Sequence, residues 1–234
     1  MTISIAHRGE PVGHRENTIE SFLAACALGA DMVELDCRMT ADGTVIVLHD
    51  PTLFRLWGRD APARALSLAE VQCLGDPAMR IPTLEAALSA LEVPIMVDVD
   101  DPAVMEPALE VVERCGAFER SLFAGRLEGL SWLRCERPAA RIALSWDRRK
   151  LPDDELLGEL GPEYFNPRVD LATEEAIAWM HARGIGVSTW TVDDERVMSW
   201  LVDHGVDAVI TNQIATLVGL LERLDGAGAH GGAS

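Results

Sequence analysis

The run Ile3–Asp36, ISIAHRGEPVGHRENTIESFLAACALGADMVELD, contains one complete folding unit. Ile3–Ala6 is a short apolar run, Thr18–Leu28 carries apolar residues at helical spacing, and Met32–Asp36 is again β-prone. Asn17 with Glu20 three residues later reads as a capping box opening the helix, and Gly29 stands where a helix C-cap belongs. Two strands joined through a helix pair in parallel by a right-handed crossover.

The same alternation continues along the chain. Further strand-like runs are Thr44–His49, Pro94–Val99, Ser121–Ala124, Ile142–Trp146, Tyr164–Asn166, Ile185–Thr191 and Ala208–Thr211. Helical patterns at Leu84–Leu91, Val104–Arg114, Glu174–Arg183 and Glu195–His204 lie between many of them, with Gly116, Gly184 and Gly205 at cap positions. About eight such units close into a barrel, so the expected fold is α/β, a single-domain TIM (β/α)8 barrel over residues 1–225. Gly226–Ser234 (GAGAHGGAS) reads as a flexible tail. Nine runs compete for eight barrel positions. Thr44–His49 follows Met32–Asp36 after only the turn Ala41-Asp42-Gly43, too short for a helical crossover. Either that pair is an excursion from the barrel or Tyr164–Asn166 is a loop.

Composition narrows the possible functions. The 234 residues carry 38 acidic and 20 basic side chains, a net charge of −18, which argues against nucleic acid as a partner. A hydrophobic content of 48% excludes a disordered acidic tail. An anionic small molecule would bind only where the protein reverses its own field locally. Nineteen of the basic residues are Arg, and Lys150 is the single lysine, a bias that fits a GC-rich bacterial genome. The five scattered cysteines suit a reducing compartment. No leader pattern and no apolar run of about 18 residues is seen, so the expectation is a cytoplasmic protein without a stable membrane anchor.

Reacting groups in a parallel barrel sit at the C-terminal strand ends. Those positions read His7 and Arg8, Glu34 and Asp36, His49 and Asp50, then Asp98 and Asp100. Each residue alone has an ordinary structural reading, but four polar strand ends in an otherwise apolar barrel favour a shared site. Glu34 and Asp36 are two apart on a strand, so both point the same way. Neighbouring carboxylates repel unless a cation lies between them, and hard oxygen donors favour Mg²⁺ or Ca²⁺.

These residues fall in motifs that resemble the glycerophosphodiester phosphodiesterase family, a phospholipase-C-like barrel. The motifs are HRG (7–9), ENT (16–18), GADMVELD (29–36), TADGTVIVLHD (40–50) followed by PTL, IPTLEAAL (81–88), STWTVDD (188–194) and GVDAVITN (205–212). The resemblance implies metal-dependent hydrolysis of glycerophosphodiesters to an alcohol and sn-glycerol 3-phosphate. It implies His7 and His49 as general acid and base, in an order the sequence leaves open. It also implies Arg8 on the phosphate and Glu34, Asp36 and Asp98 on a divalent metal, Mg²⁺ or Ca²⁺. Trp190, at a strand end, is read either as a substrate-binding wall or as a core aromatic.

Two departures stand out. Asp98-Val99-Asp100 replaces the usual Glu-x-Lys, and Asn212 stands where the family commonly has Asp. Asp100 either helps to hold a second cation, pairs with a basic residue that supplies the missing positive charge, or marks a site attenuated for the usual chemistry. Arg148, Arg149 and Lys150 are placed to be that partner, or else form a solvated basic loop. The alternative functions are a same-barrel enzyme acting on lysophospholipids or another phosphodiester, and a barrel that binds phosphodiesters or metal with little turnover. Leu53-Phe54-Arg55-Leu56-Trp57 is the one candidate for an apolar loop near the site.

Overall fold

The computed structural model describes residues 2–75 and 79–230. Eleven strands are present among them: β1 Ile3–His7, β2 Met32–Met39, β3 Val45–Val47, β4 Thr52–Leu53, β5 Arg59–Pro62, β6 Ile95–Val99, β7 Ser121–Gly125, β8 Arg141–Trp146, β9 Tyr164–Pro167, β10 Gly186–Thr189 and β11 Ala208–Thr211. Eight of them, β1, β2 and β6 through β11, pair in parallel around a closed ring, β1 meeting both β2 and β11. The fold is therefore a TIM barrel, as the βαβ pattern predicts.

The helices are α1 Ile19–Ala27, α2 Phe54–Trp57, α3 Leu68–Gln72, α4 Leu84–Ala90, α5 Pro102–Arg114, α6 Leu127–Glu136, α7 Asp154–Leu160, α8 Glu174–His181, α9 Glu195–Asp203 and α10 Ile214–His230. Residues 226–230, read from sequence as part of the tail, belong to α10, and 231–234 lie outside the described residues. Buried Leu217 and Leu220 anchor that helix, and each further residue adds a backbone hydrogen bond without a new nucleation step. The opening of α1 also differs from expectation. Thr18 is the N-cap, its side chain accepting from the Ser21 amide, while Asn17 takes a left-handed conformation (φ 59°). Asn tolerates that geometry, which frees its amide for the site.

The surplus strand is β3. It runs antiparallel to the upper end of β2, with Cys37 opposite Val47 and Met39 opposite Val45, and lies outside the ring. Tyr164–Pro167 is a true barrel strand between β8 and β10. The hairpin turn needs Gly43 at φ 81°, and it folds β3 back until the Leu48 amide reaches the Asp36 carbonyl at 2.9 Å. An excursion through β4, α2, β5 and α3 follows, packed on its own apolar cluster of Ile46, Leu48, Leu53, Val71 and Ile81.

Side chains alternate across each strand, and the inward rows are apolar below and charged above. Ile5 lies beneath His7, Met32 beneath Glu34, and Met96 beneath Asp98; these apolar members belong to one buried cluster. A larger cluster, including Phe22, Leu35, Val97, Phe123 and Phe165, packs the outer strand faces against the helices. The barrel floor is thus filled and its C-terminal mouth is left for chemistry.

Candidate active site

A cavity of about 700 Å³ opens at that mouth. Its walls include His7, Arg8, Glu34, Asp36, His49, Asp98, Asp100 and Trp190, so these candidates share one space, while Asp50 lies behind His49 and not in the wall. Strand register explains the convergence: His7 pairs with Glu34, and Asp36 with Asp98, at the same height in the barrel.

Glu34, Asp36 and Asp98 each offer an oxygen within 4.8 Å of the others. Glu34 is buried, and burial followed by the charges of Asp36 and Asp98 pushes its carboxyl well above the ordinary range. Burial, then Asp36 and Asp100, pushes Asp98 up to about 7. Three carboxylates this close cannot all ionise without positive charge among them, and Arg8, with Arg38 acting on Asp98, supplies only part of it. An all-oxygen donor set with an unmet need for cationic charge fits a hard divalent ion.

Arg8 sits at φ 60°, stretched across the trio's edge. Its backbone amide donates to Glu34 Oε2 (2.9 Å) and its Nη1 to Glu16 Oε1 (2.9 Å). Nε lies 3.1 Å from Asp36 Oδ2, an ion-pair distance, but its N–H is not aligned and makes no hydrogen bond. Burial opposes the guanidinium's charge, but Asp36, Glu34 and Glu16 more than offset this and keep it protonated. Asn17 braces the same carboxylate: its Nδ2 donates to Asp36 Oδ2 at 2.7 Å and its Oδ1 accepts from the Asp36 amide at 3.3 Å.

The two histidines are backed differently. His7 Nδ1 is 2.8 Å from Asn212 Oδ1, while Asn212 Nδ2 donates to Asp193 Oδ2 at 2.8 Å. Asp193 fixes the amide's orientation, so Nδ1 of His7 carries the hydrogen and Nε2 is left as an acceptor. Burial, then neighbouring Arg8, holds the His7 imidazole below its ordinary value, so it is neutral at pH 7. His49 Nδ1 instead meets the Asp50 carboxylate at 2.7 Å. Arg55 grips Asp50 through Nε at 2.6 Å and Nη2 at 3.0 Å, and its hydrogen bonds lead in lowering that carboxyl to about 2. Arg55 also donates twice to Glu16, at 2.9 and 2.6 Å. One chain of charges therefore runs from His49 through Asp50, Arg55 and Glu16 to Arg8.

Trp190 is half-buried against the apolar cluster of the barrel interior, its Nε1 donating to the Asn166 carbonyl (3.0 Å) while it lines the cavity. Asp100 is not among the trio. Its Oδ1 accepts from Arg126 Nε (2.9 Å), and its Oδ2 is 3.6 Å from Arg38 Nη2. Of the two readings of Arg148–Lys150, the one as partner of Asp100 is not what is seen: the Arg148 guanidinium stands 5.4 Å from the Trp146 ring, and the Lys150 carbonyl accepts from Trp146 Nε1. Both arginines that hold Asp100 come from other elements, Arg38 from β2 and Arg126 from the start of α6. Sequence reading missed Arg38, although its place two residues past Asp36 is the strand-period signal that marked Glu34 and Asp36. Glu16 and Asn17 were visible in ENT, whereas the Asn212–Asp193 pair has no such local signal.

A parallel barrel whose mouth joins two histidines to a carboxylate trio and an arginine defines the class of barrel phosphodiesterases. The model of the glycerophosphoryl diester phosphodiesterase family matches residues 7–216, and the chain belongs to that family. It is 31% identical over 238 residues to the "Probable glycerophosphodiester phosphodiesterase 2" of Mycobacterium tuberculosis, covering 90% of this chain and 87% of that one. It is 27% identical to the glycerophosphodiester phosphodiesterase of Caldanaerobacter subterraneus, covering 95% and 98%. Among solved structures, an Oleispira antarctica phosphodiesterase in complex with the product sn-glycerol-3-phosphate superposes with a TM-score of 0.85 at 23% identity, over 95% of this chain and 97% of that one.

Proposed function

We propose that this protein hydrolyses glycerophosphodiesters to an alcohol and sn-glycerol 3-phosphate, with residues 1–225 acting as one catalytic unit. The carrying observation is the junction of His7, His49 and Arg8 over the Glu34–Asp36–Asp98 trio in one cavity. Those three carboxylates would hold a divalent ion, Mg²⁺ or Ca²⁺, which when bound neutralises and polarises the phosphoryl oxygens. Arg8 supplies a second positive charge to the phosphate. Trp190 forms an apolar wall for the glycerol or head group.

The different backing of the histidines supports a separate role for each. Neutral His7, with Nδ1–H held by Asn212, takes the proton from the attacking oxygen at Nε2. That oxygen is the substrate's own neighbouring hydroxyl or a water. The oxygen–phosphorus bond forms as the phosphorus–alcohol bond breaks, and His49 passes a proton to the departing oxygen. An ionised Asp50 behind His49 stabilises the ring that delivers it. If the first product is a cyclic phosphate, water opens it with the histidines' roles exchanged.

A coupled assay for sn-glycerol 3-phosphate tests this, run with Mg²⁺, Ca²⁺ or Mn²⁺ and with EDTA. Activity should vanish in EDTA, and His7→Ala and His49→Ala should each lower kcat by about 10²–10⁴-fold. Metal-independent turnover, or turnover that survives His7→Ala, defeats the mechanism. Tight metal binding without turnover of any diester would mark a binding barrel instead.

One observation supports a second substrate class. Val12, in the loop after the HRG motif, and Phe54, at the start of α2 beyond the HD motif, are 66% and 64% exposed. A human lysophospholipase D is 33% identical over 47% of this chain and 40% of its own length. Comparing choline release from lysophosphatidylcholine and from glycerophosphocholine separates the two.

A further inference from the structure

Arg38 is the one inward charge on β2 without a role so far. It continues the row Glu34, Asp36, Arg38 and lines the same cavity. Its Nε and Nη2 donate to the His49 carbonyl oxygen at 2.9 and 2.7 Å, and Nη2 faces Asp100 Oδ2 at 3.6 Å. Among the described residues, Nη1 makes no hydrogen bond to protein. A guanidinium fixed along one edge and open along the other is preorganised for an oxyanion. Arg8, by contrast, is already committed to Glu16 and the trio.

Charge balance points the same way. Of the six carboxylates that line the cavity, Glu128 and Asp147 are matched in number by Arg126 and Arg148, which leaves Glu34, Asp36, Asp98 and Asp100 to be balanced. A divalent ion with Arg8 leaves one of those negative charges uncompensated, so a phosphodiester monoanion would still be repelled. Arg38 brings the rim to neutrality. Arg126 also reaches Asp100, but its side chain is 67% exposed and solvent screens it, whereas that of Arg38 is 18% exposed.

We propose that Arg38 binds the phosphate in this site and that Asp100 is its positioning partner, not a cation ligand. This rests on the phosphodiesterase reading above. The test measures sn-glycerol 3-phosphate binding by calorimetry in saturating Mn²⁺, and Mn²⁺ binding separately, in Arg38→Gln, Arg38→Lys and Asp100→Asn proteins. Arg38→Gln should weaken the phosphate ester by about 10- to 100-fold, and Arg38→Lys should recover part of that loss. Asp100→Asn should weaken it by about three- to tenfold while Mn²⁺ affinity stays within about twofold. Gln retains a donor for the His49 carbonyl, so a mere prop for that loop would lower kcat without changing ester affinity. That outcome overturns the proposal, as does a tenfold loss of Mn²⁺ affinity in Asp100→Asn. A wild-type protein that neither binds the ester nor cleaves a diester defeats the underlying function. A wild-type protein that does both, matched by Arg38→Gln, defeats only the assignment of Arg38.

Discussion

At the residue scale, the neutral His7 and its amide brace lead to a definite pH profile. Burial holds His7 below 6.5, so the acidic limb of kcat/KM, where the base becomes protonated, should lie below pH 6.5. The Asn212 hydrogen bond favours the charged ring, so Asn212→Leu should move that limb lower still. The same change frees the ring to take the wrong tautomer and should reduce kcat by at least about tenfold. A limb that stays put in Asn212→Leu would separate Asn212 from His7 function. Asp98 gives a second dependence. In the metal-free protein it holds a proton up to about pH 7, so a divalent ion must displace that proton below this value. Metal affinity measured by titration should fall by up to about tenfold per pH unit below 7, and level off above it.

At the element scale, two glycines with left-handed backbones allow a direct comparison. Gly43 in the β2–β3 turn has open space where a Cβ would be, so Gly43→Ala meets only conformational strain of about 1 kcal/mol. Gly9, between β1 and α1, would place its Cβ 2.6 Å from the Ser21 carbonyl carbon. Ser21 also holds this loop, its Oγ donating to the Arg8 carbonyl and accepting from the Glu10 amide. Gly9→Ala should therefore lower the melting temperature further than Gly43→Ala and should also reduce activity, because Arg8 moves with the loop. Equal effects in a paired thermal melt would contradict that difference. The βα alternation made the barrel legible from sequence, because period-2 and period-3.6 patterns depend on near neighbours alone. The carboxylate trio and both histidines were legible for the same reason, each standing at the end of an apolar run. The fate of Thr44–His49 was not, since parallel and antiparallel pairing leave the same mark on one short strand. Nor were the partners of Asp100 and His7, which join residues 26 to more than 200 positions apart.

At the scale of the whole molecule, the buried acid cluster ties stability to metal and pH together. Asp98 is raised from 3.8 to about 7 by folding, so the folded protein holds a proton that the unfolded chain has released between these values. That contribution is complete below about pH 4, shrinks as pH rises toward 7, and is absent above it. A cation replaces the proton, so at pH 8 a hundredfold excess of Mg²⁺ or Ca²⁺ over its Kd should raise the melting temperature by about 5–10 °C. The rise should be smaller at pH 5.5; differential scanning calorimetry checks both, and an equal rise at the two values would remove the trio from the metal's site. No helix among the described residues is long and apolar enough to cross a membrane. The division of labour along the chain has an engineering consequence. The groups assigned to the chemistry, from His7 to Asp100, come from the first three barrel strands, β1, β2 and β6, and the segments that follow them, whereas Arg126, Ser145, Trp146, Asn166 and Trp190 form the far wall from the remaining ones. Chimeras that exchange the loops after β8 and β9 between relatives should therefore retune which alcohol departs while leaving the reactive half intact, provided Arg126 is retained to hold Asp100 and Asn212 and Asp193 to serve His7.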